Sequence, residues 1–373
     1  MSLINNRKRI LYLTCINIFM ISVIDFGIGM LYIPARDRQY YTQQILKENR
    51  HINRIQDSMY HHGLVPNTQL MYHWNNNADY PIYVNSLGLI DQSTKKIIPE
   101  TTKHRILFLG DSFTEGVGFP YDQTFVGIIS NALAQKSEVL NAGLQGYSPK
   151  LYFEKAKFLL DEQKIKINQA IIMLDLSDIH NEAYGYRDFT PAQRSNFATA
   201  RNKHISQSIT NRVVGFLVDH SFIINSVYTL TWHKHQLQTK EQNTLPYDAD
   251  YQAWTYDMHQ YETYGRDGLR LCSEYIAKLI ALLRTHDIHD ITLVVYPWPQ
   301  QITHNDLESK HVAYWKEFAD NQKMQFINLF PTFFAHQKNE NLFIKDSHFN
   351  AKGHALVAQE LLDTIFYKYV HHE

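Results

Sequence analysis

The stretch that decides the fold is RILFLGDSFTEG, residues 105–116. Arg105–Leu109 is a short, almost entirely apolar run, which is typical of a strand buried on both faces of a parallel sheet. Gly110 ends the run, and Ser112 follows where the strand turns into the next element. A serine at that place can be exposed at the carboxyl edge of the sheet, where N–H groups of a helix start stabilise negative charge.

Outward from this stretch, apolar runs alternate with amphipathic helical patterns. The predicted strands are Arg105–Leu109, Ser137–Asn141, Ala170–Leu174, Ile291–Tyr296 and Gln325–Leu329. The predicted helices are Phe125–Gln135, Leu151–Glu162, Cys272–Arg284, His311–Asn321 and Gly353–Tyr367. This alternation predicts a three-layer α/β/α domain over residues 81–373, with a central parallel sheet of flavodoxin-like type. Functional sites in such sheets gather at the carboxyl ends of the strands.

The N-terminus is the one segment with the composition of a membrane span. Three basic residues at positions 7–9 precede an apolar run over residues 10–33, which is long enough at ~1.5 Å per residue to cross a ~30 Å hydrocarbon core. Asn17 and Asp25 weaken the run, and a signal peptide is the competing interpretation. Because no small-x-small cleavage site is evident, we favour an uncleaved transmembrane anchor over residues 1–33 in a bacterial inner membrane. The domain is then expected on the periplasmic side.

Two further regions differ from the alternating pattern. Residues 34–80 are polar and broken by Pro66, and we interpret them as a connector. Residues 183–266 are too long for an ordinary connection and are rich in aromatic side chains. We interpret them as an insertion. It is a lid over the site, an addition that only packs against the domain, or a surface that contacts a membrane, and the sequence leaves these alternatives open.

The composition excludes several classes of protein. With 36 basic and 37 acidic residues, the chain lacks the basic balance of a nucleic-acid-binding protein. Cys15 and Cys272 are the two cysteines and give no disulfide framework. No metal-binding, dinucleotide or phosphate-binding motif is present, so we expect neither a metal nor another cofactor.

A serine nucleophile needs a base, and the C-terminal part of the sequence offers one. His348 lies in Lys345-Asp346-Ser347-His348, after the last predicted strand and before the last predicted helix. Asp346 is close enough in sequence to orient the imidazole. Ser112, Asp346 and His348 therefore form a candidate catalytic triad.

These stretches resemble the sequence blocks of GDSL/SGNH hydrolases. Gly110-Asp111-Ser112 is similar to the first block, which supplies the nucleophile and one backbone oxyanion donor. The resemblance therefore makes Asp111 a candidate residue of the site. Asn141–Gly146 resembles the second block, in which Gly146 would donate its N–H, and Asp346 and His348 match the last. Tyr83–Gly88 resembles a stretch found ahead of the serine in envelope-linked members. The resemblance covers residues 81–370 outside the insertion.

Two features depart from the family pattern. The third block normally offers an asparagine side chain to the oxyanion, but Ser177 occupies that position in Leu174–Asp178. Loss of one such donor typically costs on the order of 3 kcal/mol, so Asn181 or a residue of the insertion is an alternative donor. The second departure is that Asp346 precedes His348 by two residues, where the family usually has three.

The resemblance implies a serine-dependent ester hydrolase or acyl transferase. Water as acceptor gives an esterase and a sugar hydroxyl gives an O-acyltransferase, and the sequence does not separate them. The predicted anchor favours an O-acyl ester, in particular an acetyl ester, of an envelope glycan or lipid, with a membrane acyl-donor protein as a further partner. Ser177 keeps open an alternative: an inactive SGNH scaffold that binds a glycan or an envelope partner.

Overall fold

The computed structural model describes residues 2–33, 54–57, 59–74, 79–187, 189, 213–218, 220–230, 251–337 and 340–367. The chain divides into two compact units. The first consists of residues 1–55 and 196–249, and the second of residues 56–195 and 250–373.

The described residues of the first unit form one long helix and two shorter helical segments. Helix α1 (Ser2–Tyr32) includes a 25-residue stretch, Lys8–Tyr32, in which the most apolar 18 consecutive residues have a mean hydropathy of 1.9. By length and composition it can cross a membrane. Residues 213–218 and 222–230 are also helical.

The second unit is built on a sheet of eight strands. The strands of the chain are β1 (Arg54–Asp57), β2 (His61–Leu64), β3 (Thr68–Tyr72), β4 (Tyr80–Val84), β5 (Ile90–Asp91), β6 (His104–Leu109), β7 (Ser137–Asn141), β8 (Gln169–Leu174), β9 (Asp290–Val295) and β10 (Gln325–Asn328). The order in the eight-stranded sheet is β10-β9-β8-β6-β7-β5-β4-β3, and β1 and β2 form a separate two-stranded sheet. The five neighbouring strands β10, β9, β8, β6 and β7 run parallel to one another. Beyond β7, the strands β5, β4 and β3 form an antiparallel edge.

Helices connect the parallel strands and cover both faces of the sheet. They are α2 (Ser112–Glu115), α3 (Phe125–Leu133), α4 (Pro149–Lys157), α5 (Asp178–His180), α6 (Met258–Gln260), α7 (Arg266–Thr285), α8 (Pro299–Thr303), α9 (Lys310–Gln322), α10 (Phe330–Gln337) and α11 (Ala351–Thr364). Helix α3 packs with α11, and α4 packs with α7. The connection from β6 to β7, which contains α3, runs in one direction across the sheet, and the connection from β7 to β8, which contains α4, runs in the opposite direction past β6. Because both connections are right-handed crossovers, α3 and α4 lie on opposite faces of the sheet.

Strand β6 lies at the centre of this arrangement. The side chains of Ile106 to Leu109 are all fully buried, because helices cover the sheet on both sides. The chain order reverses around β6, and ligands of open α/β sheets bind at such a switch point, beyond the carboxyl ends of the strands. The residues after Leu109 are therefore in the position where a site is expected.

The predicted three-layer α/β/α class is confirmed, with two differences in detail. The sheet is mixed instead of purely parallel, because the antiparallel strands β3 to β5 extend one edge. Strands also occur within the predicted connector, residues 34–80, and β3 joins the main sheet, so the sheet begins before residue 81. Residues 34–53 of that connector, and much of the predicted insertion at 183–266, lie outside the described residues.

Candidate active site

Ser112 is the first residue of α2 and is held at the end of β6 by a capped turn. The Asp111 carboxylate accepts a hydrogen bond from the Phe113 N–H at 3.0 Å and so caps the helix start. Gly116 ends α2 in the left-handed conformation, with φ of 83°. Ser112 is 8% exposed, so its hydroxyl lies at the inner end of the site and not on the open surface.

The structure brings Ser112 and His348 together across 236 residues of sequence. The His348 Nε2 atom lies 2.8 Å from the Ser112 Oγ atom, within hydrogen-bond distance. The pair meets the geometric requirement for a general base next to a nucleophile. Imidazole and hydroxyl therefore lie where one proton can pass directly between them.

Asp346 completes the chain of contacts through a tight turn. Its Oδ1 atom lies 3.1 Å from His348 Nδ1 and also accepts the His348 backbone N–H at 3.3 Å. Ser347 lies between them in the left-handed region, with φ of 79°, and donates its N–H to the Ile344 carbonyl. This turn directs both side chains to the same side, which explains how a two-residue spacing brings carboxylate and imidazole together.

The environment of Asp346 favours its ionised form. Partial burial opposes ionisation, but hydrogen bonds from the His348 ring and the Trp74 indole, together with the histidine charge, lower the pKa of Asp346 below its ordinary value. The Trp74 Nε1 atom donates to Asp346 Oδ2 at 2.5 Å. The Asp346 side chain is thus an anionic acceptor that fixes His348 Nδ1 as the donor nitrogen.

Aromatic rings hold the imidazole on two sides. Trp74 meets the His348 ring edge-on, with centroids 5.3 Å apart, and Phe113 lies 4.7 Å away at an angle of 30°. Packing on both sides restricts rotation of the imidazole about its side-chain bonds. The ring is therefore held in the orientation that faces Ser112.

Two backbone N–H groups beside Ser112 are candidates for an oxyanion hole. The Ser112 N–H is at the first position of α2, where a helix leaves its N–H groups unpaired. Gly146 follows β7 with φ of 77°, a conformation that glycine adopts without strain. Its carbonyl accepts a hydrogen bond from the Tyr186 hydroxyl. Within the described ranges, no residue accepts a hydrogen bond from the Gly146 N–H.

Ser177 is engaged with a neighbouring carboxylate. Its hydroxyl donates to Asp175 Oδ1 at 2.5 Å, and its backbone N–H donates to the same atom at 2.7 Å. The Trp298 indole donates to the other oxygen of Asp175 at 2.7 Å. In this arrangement the Ser177 proton is directed to Asp175, so an oxyanion contact would require the hydroxyl to rotate.

Three carboxylates are buried together beneath the serine. Asp111, Asp175 and Asp178 lie at the carboxyl ends of β6 and β8, and no Lys or Arg of the described part pairs with them. Burial and then repulsion by Asp175 raise the pKa of Asp111 well above its ordinary value. Burial also raises the pKa of Asp175 and Asp178, and for Asp178 repulsion by both neighbours adds to it. The cluster therefore favours retention of protons where isolated carboxyl groups lose them.

The remaining predicted site residue, Asn181, begins the π-helical stretch Asn181–Gly185 that directly follows α5. Its N–H donates to the Ser177 carbonyl, and no hydrogen bond joins it to Ser112 or His348 in the described part of the chain. Sequence reasoning missed Trp74, Phe113 and Trp298. Phe113 was adjacent to the serine and could have been included, but nothing near Trp74 or Trp298 in sequence connects them with the site.

Comparisons with known proteins give matches to solved structures only. No protein-family profile matches the chain, and no curated protein matches its sequence. A lipolytic G-D-S-L family member from Veillonella parvula DSM 2008 has a TM-score of 0.40 and 14% identity, covering 70% of this chain and 98% of that one. Acetylxylan esterase Axe2 from Geobacillus stearothermophilus has a TM-score of 0.40, 13% identity and coverages of 74% and 100%. TesA has a TM-score of 0.40, 12% identity and coverages of 70% and 98%.

Such distant similarities carry no information on what this chain acts on. The assignment of the site therefore depends on the geometry of this chain, which places a serine, an imidazole and a carboxylate in hydrogen-bond contact at the switch point of the sheet. The blocks around Ser112 and His348 and the α/β/α architecture together make the chain similar to GDSL/SGNH hydrolases.

Proposed function

We propose that the chain is a serine-dependent carboxylic-ester hydrolase or acyl transferase. The observation that carries the proposal is the 2.8 Å contact between Ser112 Oγ and His348 Nε2, continued by the 3.1 Å contact between His348 Nδ1 and Asp346. A hydroxyl, an imidazole and an ionised carboxylate in this order are the groups that nucleophilic acyl transfer requires.

The proposed reaction has two steps. His348 takes the proton of Ser112 as the oxygen attacks an ester carbonyl, and the imidazolium then gives this proton to the departing alcohol, which leaves an acyl-serine. In the second step His348 takes a proton from water or a sugar hydroxyl as that oxygen attacks the acyl carbonyl, and the imidazolium then gives this proton to the departing Ser112 Oγ, which restores the free serine and releases the acid or the acylated sugar. Asp346 stabilises the imidazolium in both steps.

Negative charge on the reacting carbonyl oxygen needs donors that are in place beforehand. The N–H groups of Ser112 and Gly146 are suited to this role, because both lie beside the serine and neither is used by a described neighbour. Each such donor contributes on the order of 3 kcal/mol to stabilisation of the transition state. We propose these two N–H groups as the principal oxyanion donors, with Ser177 as a donor only after its hydroxyl rotates away from Asp175.

The proposed substrate is an O-acyl ester, in particular an acetyl ester, of an envelope glycan or lipid. The support is the apolar helix α1, which would hold the second unit at a membrane surface, and we propose the periplasmic side of a bacterial inner membrane. Transfer to a sugar hydroxyl would also need a membrane acyl donor. Both reactions use the same three side chains, so the acceptor decides between them.

The competing proposal is a scaffold that binds a glycan or an envelope partner without catalysis. The hydrogen bond between Ser177 and Asp175 favours it, because it leaves the oxyanion without a third, side-chain donor. The two proposals differ in what Ser112 does: an inactive scaffold would keep its biological role when Ser112 is replaced by alanine.

The test is hydrolysis of p-nitrophenyl acetate by the full-length chain in detergent. We expect Ser112→Ala to lower the rate at least about a thousandfold, since loss of the nucleophile in such triads has effects of this size or larger. Ser273→Ala, at a half-buried serine on α7, is the matched control and is expected to keep full activity. Equal rates in wild type and Ser112→Ala would contradict the enzyme proposal and favour the scaffold.

A further inference from the structure

The proposed function leaves one feature unexplained, the described residues 213–218 and 220–230 of the insertion, here called the apolar insertion segment. Its exposed side chains are hydrophobic, and most of them are large. They include Phe216 at 55%, Ile223 at 55% and Leu230 at 72% exposed. Several such side chains in one short segment are uncommon on a surface that faces water.

The segment contacts α1, which belongs to the same unit. The Ser221 hydroxyl donates to Asp25 Oδ2 at 2.6 Å, and the Ile223 N–H donates to Asp25 Oδ1 at 2.9 Å. Asp25 is the acidic residue within the apolar stretch of α1, and these two donors satisfy it. A carboxylate inside a membrane is costly unless a neighbouring element pairs with it.

The two elements approach each other closely at a glycine. A Cβ atom built at Gly29 would lie 2.2 Å from the His220 carbonyl oxygen, so no side chain fits there. Phe26 and Phe216 pack beside this point with ring centroids 6.3 Å apart. A small residue that lets two backbones touch is the usual arrangement where helices associate within a membrane.

Three polar side chains of the segment donate hydrogen bonds to carbonyl groups of the segment itself. Ser226 donates to the Phe222 carbonyl at 2.7 Å, and Thr229 donates to the Asn225 carbonyl at 2.7 Å. The Asn225 amide donates to the Val218 carbonyl at 3.1 Å. The same pattern occurs in α1, where the Ser22 hydroxyl donates to the Ile18 carbonyl. Polar side chains that bond to backbone carbonyls nearby, next to apolar side chains that are exposed, suit a surrounding without water.

We infer that the apolar insertion segment is a second membrane-embedded element, which packs on α1 and is covered by lipid acyl chains. Its helix 222–230 is ~14 Å long at ~1.5 Å per residue, so it enters the bilayer without crossing it. Asp25 is seven residues before Tyr32, the last residue of α1, so the segment lies in the leaflet at that end. Its exposed side chains continue the apolar surface of α1, and this continuity favours lipid over a protein partner.

Site-directed spin labelling of the full-length chain tests the inference. A nitroxide is attached to Ile223→Cys or Leu230→Cys in a Cys15→Ala background, where buried Cys272 stays unlabelled. The chain is placed in nanodiscs of phosphatidylethanolamine and phosphatidylglycerol. Both labels are expected to collide more often with oxygen than with a water-soluble nickel chelate, as a label at Ile21→Cys in α1 does.

A label at Glu274→Cys, on the exposed face of α7, is the matched control and is expected to collide more often with the nickel chelate. The inference is overturned if the labels at positions 223 and 230 behave as the control does, since water would then cover the segment. Protection of both labels from both reagents would also overturn it, because protein would then cover the segment instead of lipid. Neither outcome depends on catalytic activity.

Discussion

Trp74 lies two residues after β3 and 272 residues before Asp346 in the sequence, and its indole is the one indole donor to Asp346 in the described part of the chain. We expect Trp74→Phe to keep the aromatic contact with His348 and to remove the hydrogen bond. A hydrogen bond to a charged group contributes about 1.5–3 kcal/mol. The prediction is a fall in kcat of about tenfold or more with KM unchanged, measured on p-nitrophenyl acetate. An unchanged kcat would show that Trp74 does not position the triad.

Ser177 allows a second prediction on single side chains. Because its hydroxyl donates to Asp175, Ser177→Ala is expected to lower kcat less than about tenfold, well below the effect of losing an oxyanion donor. Kinetics of the alanine variant measure this directly. A loss of about a hundredfold or more would mean that the hydroxyl rotates to the oxyanion during the reaction.

At the scale of elements, α11 carries a buried histidine that makes the fold sensitive to acid. Burial, and then the charge of His348, lower the pKa of His354 from 6.5 to about 3. Below pH 6.5 the unfolded chain therefore binds a proton that the folded chain excludes, so the free energy of unfolding decreases as pH falls toward 3. The contribution is ~1.4 kcal/mol per pH unit for this one side chain.

His354→Gln is expected to make the loss of stability between neutral pH and pH ~4 shallower by about one proton. The measurement is denaturant unfolding of the full-length chain in detergent, followed by tryptophan fluorescence over that pH range. His289→Gln is the control, because His289 is exposed. An equal slope in the wild type and His354→Gln would contradict the prediction.

The parallel strands of the sheet, and Ser112 and His348 as candidate site residues, were predictable because each is marked by a short local sequence pattern. The β8 prediction, Ala170–Leu174, matches the observed strand to within one residue, since an apolar run between helical patterns marks a buried strand. Ser112 and His348 each follow a predicted strand. The antiparallel edge was not predicted, because β3 and β4 are short, and Pro81 within β4 obscures the pattern.

The surroundings of the triad could not be predicted for a different reason. Trp74 and Trp298 reach Asp346 and Asp175 only through tertiary packing, and neither has a sequence neighbour with a functional pattern. The hydrogen bond of Ser177 to Asp175 depends on the turn after β8. The sequence identifies Ser177 as a candidate site residue, but the direction of its hydroxyl is set by side chains that contact it only in the folded chain.

For the molecule as a whole, we expect one orientation in the membrane, with the second unit on the periplasmic side. In cells with a permeabilised outer membrane, Glu274→Cys in the Cys15→Ala background is expected to react with a membrane-impermeant maleimide. Asn5→Cys, which precedes the apolar stretch Lys8–Tyr32 of α1, is expected to react only after the inner membrane is opened. The reverse order of labelling would place the second unit in the cytoplasm and contradict an envelope substrate.

The most direct test of the central claim is covalent capture of the nucleophile. The full-length chain in detergent is treated with a fluorophosphonate, and the modified peptide is located by mass spectrometry. We expect one adduct on Ser112, which is absent in Ser112→Ala and strongly reduced in His348→Gln, because the imidazole activates the hydroxyl. An adduct that persists in Ser112→Ala, or a wild-type chain that stays unmodified, would contradict the proposed role of Ser112 as the nucleophile.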